Sequence, residues 1–365
     1  MRGDGISIEA VTTREAMTEF AMFPFQVYGD REAWWPPDVQ NETDLISGRA
    51  PIAEHLEMRP FVARRAGKPA ARVTAVVNLR YNRHWNEQIG QLIHFEALAG
   101  EGAAAVAVLQ EASQWLRGKG MKAVRSGFAA FLDYPYAIDR YGTLPSFLLR
   151  NTPEFYHTYF KDAGFATEKG MSDFTIPLTA PTLAAYPAMI EQAARQGVRV
   201  TTWREYGFLA AIDAWTDVTN SAFERHWGWN PITREEVRPM LSGLARTEVG
   251  ELSTLAIADG QVVGSVFAVP DFSARLARVR PGVRLDPQRG GGTRGALINI
   301  GVIQPWRGKS ANLAMAALSF SAMAQRGMKF AGYTLVLDEN HASRRTAQKL
   351  GGSVSGNFVV YRRDF

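Results

Sequence analysis

Residues 302–314 read VIQPWRGKSANLA: the end of an apolar strand, a basic loop containing glycine, and the start of an alanine-rich helix. The first backbone N–H groups of a helix have no partner inside the helix, and the helix dipole favours negative charge there. Gly308 allows close approach of the backbone, and Arg307 and Lys309 add positive charge. The stretch therefore predicts a phosphate-binding loop at a helix N-terminus.

The elements around this loop occur twice in the chain. Each copy has two strands joined by a glycine turn (Gly67 and Gly260), then an apolar strand, then an alanine-rich helix ending at glycine. Each continues with Met-Lys, another strand and a second helix ending in glycine. The first three stretches of each copy are 61–77, 90–100 and 103–120, and 254–270, 296–305 and 310–327. This repetition predicts two similar α/β domains.

Composition narrows the class of protein. The chain has 365 residues, enough for two domains, and no cysteine, which excludes disulfides, thiolate metal sites and cysteine nucleophiles. No spacing of His, Asp and Glu resembles a metal site. The N-terminus has no apolar core of the signal-peptide type, and no run of about 18 apolar residues occurs. We therefore expect a cytoplasmic protein without a metal or a transmembrane segment.

Charge is distributed unevenly. Residues 1–180 carry 19 basic and 21 acidic residues, whereas residues 181–365 carry 22 and 15. The basic second half suggests an anionic partner, although ordinary solubility also accounts for it. The arginine-rich loop 275–294 could contact a phosphate group, an acidic protein or a membrane surface, or simply be solvated. Nucleic acid is not expected, because these arginines are not interleaved with stacking aromatic residues.

The element order and the sequence IGVIQPWRGKSA (300–311) resemble the GNAT superfamily, the Gcn5-related N-acyltransferases. In that family a loop of pattern (Arg/Gln)-x-x-Gly-x-(Gly/Ala) after the fourth strand holds the pyrophosphate of acyl-CoA. An Asn at the end of the next strand contacts the pantetheine arm, and Asn340 matches it. The donor-binding residues implied by this resemblance are Gly301, Val302, Ile303, Arg307, Gly308, Lys309, Ser310, Ala311, Asn312 and Asn340.

Further stretches, among them RNTPEFYHTYFKDAGF (150–165) and HWGWNPITREEV (226–237), narrow the resemblance. They are similar to tandem-GNAT proteins, which include bacterial ceramide synthase-like enzymes and long-chain acyltransferases of lipopeptide pathways. The implied fold is α/β with mixed sheets, as two tandem GNAT domains. We expect an N-terminal domain (1–178) without the phosphate loop, a linker helix (179–197) and a C-terminal domain (198–365) with the donor-binding loop.

Two departures from the loop pattern bear on the donor. Ser310 stands where Gly is expected, and Asn312 where Gly or Ala is expected. A Cβ hinders close backbone approach to a pyrophosphate, although a serine can also cap a helix or bind phosphate. The donor implied by the resemblance is a thioester co-substrate, either acyl-CoA or the phosphopantetheine of an acidic acyl carrier protein. We expect no tightly bound cofactor.

The side chains that commonly act in GNAT catalysis are also replaced. The usual Glu of the fourth strand aligns with Asn299, and the usual Tyr of the last helix aligns with Ala347. His226 can take a proton near neutral pH and is the preferred substitute base, with Glu224 second. The alternative is a structural histidine between packed tryptophans.

Three further residues are candidates. His94 and Glu96 alternate in the matching strand of the first half, where Glu96 lies near the position of a GNAT base; they could equally be a polar pair satisfied inside that domain. Tyr333 could protonate a leaving thiolate or serve in packing. The loop after the first-half strand, EALAGEGAAAV, has no basic residue, so this half is not expected to bind a cofactor.

Together these patterns predict an N-acyltransferase that moves an acyl group, of long chain by the resemblance, to a primary amine of a sphingoid-type base or a peptide. The replaced catalytic residues leave an alternative: an inactive GNAT-fold protein that binds an acyl thioester as a sensor or scaffold. Peripheral contact with a membrane through the arginine-rich loop is a further possibility.

Overall fold

A computed structural model describes residues 5–29, 33–34, 36–276 and 292–365. Most of the predicted arginine-rich loop lies outside these residues. The strands are β1 (Ile6–Ala10), β2 (Leu56–Arg65), β3 (Lys68–Asn78), β4 (Ile89–Ala97), β5 (Ala123–Ser126), β6 (Tyr136–Ala137), β7 (Ala166–Pro177), β8 (Arg199–Thr202), β9 (Thr254–Ala258), β10 (Gln261–Pro270), β11 (Arg294–Val302), β12 (Phe330–Leu337) and β13 (Ser353–Asp364).

The described residues also form α-helices, some of which pack on the strands and some on other helices. They are α1 (Arg14–Met22), α2 (Pro24–Tyr28), α3 (Val39–Ile46), α4 (Leu79–Trp85), α5 (Gly102–Gly118), α6 (Tyr156–Asp162), α7 (Ala180–Ala184), α8 (Tyr186–Arg195), α9 (Trp203–Tyr206), α10 (Phe208–Phe223), α11 (Arg234–Ser242), α12 (Val249–Leu252), α13 (Ser273–Leu276), α14 (Ala311–Gln325) and α15 (His341–Lys349). Short 3-10 helices cover Pro51–His55, Gly243–Arg246 and Gln304–Trp306.

The chain forms two compact units. The first contains the described residues up to Gly170 and the last eight, Phe358–Phe365; the second contains 171–274 and 292–357. Helices α7 and α8 belong to the second unit, where α8 packs on α14. The predicted functional division at 1–178, 179–197 and 198–365 stays a prediction, and these units differ from it at β7, at α7–α8 and at the final strand.

In the first unit, strands β1 to β5 are neighbours in order, and β5 then pairs with the end of β13. Helix α5 packs on β2 and β3. The predicted hairpin is confirmed: Ala66 and Gly67 are both left-handed, with φ of 49° and 78°, as a two-residue turn requires. Gly90 lies under Leu116 of α5, where a Cβ would come within 2.7 Å, so the helix sits directly on the strand.

The second unit repeats this arrangement. Its sheet runs β7–β12–β11–β10–β9–β8, with α14 packed on β9, β10 and β11. Asp259 and Gly260, with φ of 50° and 73°, form the equivalent turn. Gly264 lies under Met315 of α14, where a Cβ would come within 2.8 Å. The core of this unit is therefore alanine-rich helix on strand, as in the first.

The two units also share an interrupted parallel pair. Strands β4 and β5 pair only from Ile89 to Leu92, although β4 continues to Ala97. Strands β11 and β12 pair only from Arg294 to Leu297, although β11 continues to Val302 and β12 to Leu337. Bulges follow at once in β4 and β11. Each sheet therefore opens between its two parallel strands.

Candidate functional site

The predicted donor-binding loop lies between β11 and α14. After β11 the chain makes a 3-10 turn over Gln304–Trp306, and helix α14 begins at Ala311. Gly308 is left-handed, with φ of 82°, and a Cβ on it would meet no atom within 4 Å. In the part of the chain that the structure describes, the amides of residues 308–313 donate to no protein acceptor. The loop has the free donors that an anion site requires.

Ser310 occupies the residue before α14 with a left-handed backbone, φ 57° and ψ 4°. Its side chain does not cap the helix. A left-handed conformation suits glycine and strains serine, so this position has the geometry of the expected glycine without the residue. Ser310 thus keeps the backbone path of the loop and adds a Cβ and a hydroxyl to its surface.

Arg307 holds the loop to the end of α10. Its guanidinium donates to the backbone carbonyls of Val302, at 3.0 Å, and of Ala222, at 2.8 Å. Neither contact is with an acidic side chain, so the exposed positive charge of Arg307 is available to attract an anion. Lys309, also exposed, lies with its ammonium 3.9 Å from the centre of the Trp306 ring. The loop is therefore basic, and Arg307 determines its position.

Asn312 and Asn340 have local partners. The Asn312 amide donates to the Thr346 hydroxyl of α15 at 2.9 Å, which ties the start of α14 to the second half of α15. The Asn340 side chain accepts from the Ser343 N–H at 3.0 Å and caps α15. Both side chains therefore make contacts that hold α14 and α15 beside the loop. Their predicted contacts with a donor stay predictions.

The residues Gly301, Val302 and Ile303 continue β11 past the point where β12 leaves it. Ile303 donates its N–H to Val263 of β10 at 3.0 Å. Backbone N–H groups alternate between the two edges of a strand, so that of Val302 points toward the side from which β12 has separated. Gly301 faces α10, where a Cβ would come within 2.9 Å of Ala222. The Val302 N–H is thus placed to bind a carbonyl oxygen entering the opening.

His226 lies just beyond α10, near this loop. Its Nδ1 is 3.1 Å from the carbonyl of Trp227, and a carbonyl only accepts, so Nδ1 carries the proton and Nε2 is the basic nitrogen. Burial lowers the pKa of His226 from its ordinary value; the Trp227 carbonyl opposes this, and the charge of Arg307 lowers the pKa further. His226 is therefore neutral at pH 7 and able to accept a proton. Glu224, two residues earlier, is exposed.

Tyr333 is the last residue of β12 that pairs with β11. It is buried, and its hydroxyl lies 2.9 Å from the Ser343 hydroxyl. Burial raises its pKa to about 12, with the Ser343 bond opposing, so the hydroxyl keeps its proton at neutral pH. Tyr333 can donate a proton and cannot act as a base near pH 7.

The first unit has the same opening with different contents. Glu96 is buried, and its Oε2 accepts from the hydroxyls of Tyr28, at 2.9 Å, and of Tyr156, at 2.6 Å. Burial raises the pKa of Glu96, and the charges of Arg150 and Arg72 oppose it. These contacts favour a structural carboxylate within this unit.

His94 is the left-handed residue of the bulge in β4, with φ 57°, and its Nδ1 lies 3.3 Å from the Thr74 hydroxyl. Burial lowers its pKa to about 4. At the start of α5, where a donor loop would lie, the Glu101 carboxylate pairs with Arg65 at 2.6 Å, and a Cβ on Gly102 would come within 2.9 Å of Tyr159. A carboxylate at this terminus disfavours a phosphate.

The structure thus brings His226, Arg307 and Gly301 to one end of α10 in the second unit, while His94 and Glu96 lie within the first. Sequence reasoning missed the carbonyl of Ala222 as a partner of Arg307, and the tyrosines that hold Glu96. Each contact joins residues far apart in the chain, and no local pattern signals it. In the described ranges, no cluster of His, Asp or Glu could hold a metal, and no helix is long and apolar enough to cross a membrane.

Known proteins resemble this chain in sequence and in fold. No family profile matches the chain. The chain is 19% identical over 274 residues to protein YghO of Escherichia coli, covering 74% of this chain and 70% of that protein. It is 20% identical over 280 residues to the bacterial ceramide synthase of Caulobacter vibrioides, covering 75% and 72%.

Among solved structures, a tandem GNAT protein from the clavulanic acid biosynthesis pathway matches with a TM-score of 0.58 and 12% identity, over 98% of both chains. The Gcn5-related glucosamine N-acetyltransferase region of a fungal multi-domain beta-N-acetylglucosaminidase matches all of this chain with a TM-score of 0.60 and 13% identity. The chain spans about 38% of that longer protein. The predicted fold is confirmed: the chain has the tandem GNAT acyltransferase fold.

Proposed function

We propose that the protein is an N-acyltransferase whose second unit binds an acyl thioester and passes the acyl group to a primary amine. The observation that carries this proposal is the loop 307–313. Among the described residues, the amides of 308–313 have no protein acceptor, the backbone is left-handed at 308 and 310, and exposed basic side chains lie beside an opened parallel strand pair. A phosphate-bearing thioester is the ligand that this combination fits.

The proposed reaction uses groups of the second unit. Nε2 of His226 takes a proton from the ammonium of the acceptor, and the free amine attacks the thioester carbonyl. The Val302 N–H stabilises the oxyanion that forms. When the C–S bond breaks, the attacking nitrogen loses its remaining extra proton to solvent, and the thiolate takes a proton from the Tyr333 hydroxyl. Tyr333 is then reprotonated from solvent through Ser343. The products are an amide and a free thiol.

The acceptor is proposed to be a sphingoid-type base or a peptide amine, and the acyl chain a long one. The similarity to the ceramide synthase of Caulobacter vibrioides supports a lipid amine, at the 20% identity given above. The donor is CoA or an acidic carrier protein. Ser310 favours the carrier, because its Cβ projects where a pyrophosphate would approach the backbone, and phosphopantetheine on a carrier has no ADP half.

The donor is tested by equilibrium binding of palmitoyl-CoA and of palmitoylated carrier protein to the full chain. Saturable binding of either donor, weakened by Arg307→Ala, is the expected result. Binding of both donors unchanged by that substitution would contradict the site. Tight donor binding without amide formation across lipid and peptide amines would favour the sensor or scaffold alternative, which the replacement of the usual Glu and Tyr by Asn299 and Ala347 supports.

A further inference from the structure

Helix α10 packs on the open end of the second sheet through one face. Trp215 contacts Phe267 of β10, with 5.6 Å between ring centres. Two turns later, Ala222 lies against Gly301 of β11. Thr219 is one turn from each of these residues, on the same face of the helix. Its side chain therefore points at the sheet between Phe267 and Gly301.

The strands present polar groups at the same place. In the β10–β11 ladder, Ser265 is opposite Gly301, and Phe267 is opposite Asn299. Side chains alternate along a strand, so Ser265 and Asn299 lie on the face that carries Phe267 and Gly301, toward α10. Gly264, the neighbour of Ser265, faces α14 instead, which agrees with this assignment.

Each of these three side chains has a buried polar atom without a hydrogen-bond partner in the described part of the chain: Thr219 Oγ1, Ser265 Oγ and Asn299 Oδ1. Thr219 and Ser265 are both fully buried. An unpartnered buried polar atom destabilises a protein, and such atoms mark positions where something else supplies the bond. Asn299 itself is partly exposed and lies beyond the last pair of β11 with β12, so the group opens toward the gap between these strands.

We propose that Thr219, Ser265 and Asn299 form a specificity-determining subsite that binds a hydroxyl group of the amine acceptor. A hydroxyl donates one bond and accepts others. The Asn299 carbonyl is a ready acceptor, and the serine and threonine hydroxyls can donate. The neighbouring residues Phe267 and Gly301 are uncharged, which disfavours binding of an ion at this depth. This inference rests on the proposed acyl transfer and adds to it that the preferred acceptor is an amino alcohol.

The subsite predicts an unusual combination of effects. Thr219→Val removes an unpartnered hydroxyl, so the melting temperature should stay the same or rise. The same change should lower kcat/KM for sphinganine about tenfold and leave that for octadecylamine, a matched amine without hydroxyls, within about twofold. Ser265→Ala should act in the same direction.

Thr216→Val is the matched control. Thr216 is a buried threonine of the same helix, but its hydroxyl donates to the Ile212 carbonyl at 2.8 Å. Its loss should not change the preference between the two amines. An unchanged preference in Thr219→Val together with a lowered melting temperature would overturn the subsite and indicate a structural water only. Equal use of both amines by the unaltered protein would overturn the subsite alone. Amide formation with neither of these amines nor with a peptide amine would overturn the proposed function and the subsite with it.

Discussion

Arg307 is the residue whose replacement tests the organisation of the donor loop most sharply. Its guanidinium joins the carbonyls of Val302 and Ala222 at 3.0 and 2.8 Å. Hydrogen bonds to a charged group contribute about 1.5–3 kcal/mol each when shielded; because this side chain is exposed, about 1 kcal/mol each is the better value. Arg307→Ala therefore removes about 2 kcal/mol of loop positioning, which corresponds to about 30-fold weaker donor binding if all of it appears there.

The assay is titration calorimetry of palmitoyl-CoA and of palmitoylated carrier protein against the original chain, Arg307→Ala and Arg307→Lys. Lysine keeps the charge but cannot span two carbonyls with a planar fork. We expect Arg307→Lys to lose about threefold to tenfold in affinity, between the other two proteins. Full affinity in Arg307→Lys would mean that charge alone matters. Full affinity in Arg307→Ala would refute the positioning role.

Three further outcomes are expected. Ser310→Gly relieves about 1–2 kcal/mol of left-handed backbone strain but increases the conformational freedom of the unfolded chain. The free energy of unfolding, measured in urea, should therefore rise by under about 1 kcal/mol. A decrease would contradict the strain at Ser310. Gly301→Ala forces a Cβ to within 2.9 Å of Ala222; calorimetric unfolding should show a loss of about 1–3 kcal/mol, and an unchanged unfolding temperature would argue against this packing. Because the neutral form of His226 acts as the base and its pKa is lowered, kcat/KM should be constant near pH 7 and fall as the pH drops below about 6.5. His226→Gln should abolish this fall at acid pH. If the fall persists in His226→Gln, it arises from another group.

Much of the fold follows from local pattern. The glycine turns, the alanine-rich helices and the order of elements are short-range properties, and the structure has them at the predicted places. Local sequence does not determine where the last strand pairs. Residues 358–365 belong to the first unit because they pair with β5, more than 230 positions earlier in the chain. Nothing in the sequence of a strand states which edge it will join.

The same distinction applies to the site. Arg307 and Gly308 were recognisable because helix N-termini bind anions through adjacent residues. That Arg307 reaches the carbonyl of Ala222, and that Ser265 and Thr219 are left without partners, depends on how α10 packs on the sheet. The left-handed Ser310 was also hidden, since serine has no preference for that conformation.

The most direct test of the central claim is single-turnover formation of amide from a radiolabelled palmitoyl thioester and a primary amine by the full chain, with His226→Gln and Arg307→Ala in parallel. We expect label in the amide with the original protein, a reduced rate at neutral pH with His226→Gln, and weaker donor saturation with Arg307→Ala. Amide formation at the same rate and the same donor saturation in all three proteins would contradict a donor site and a base in the second unit.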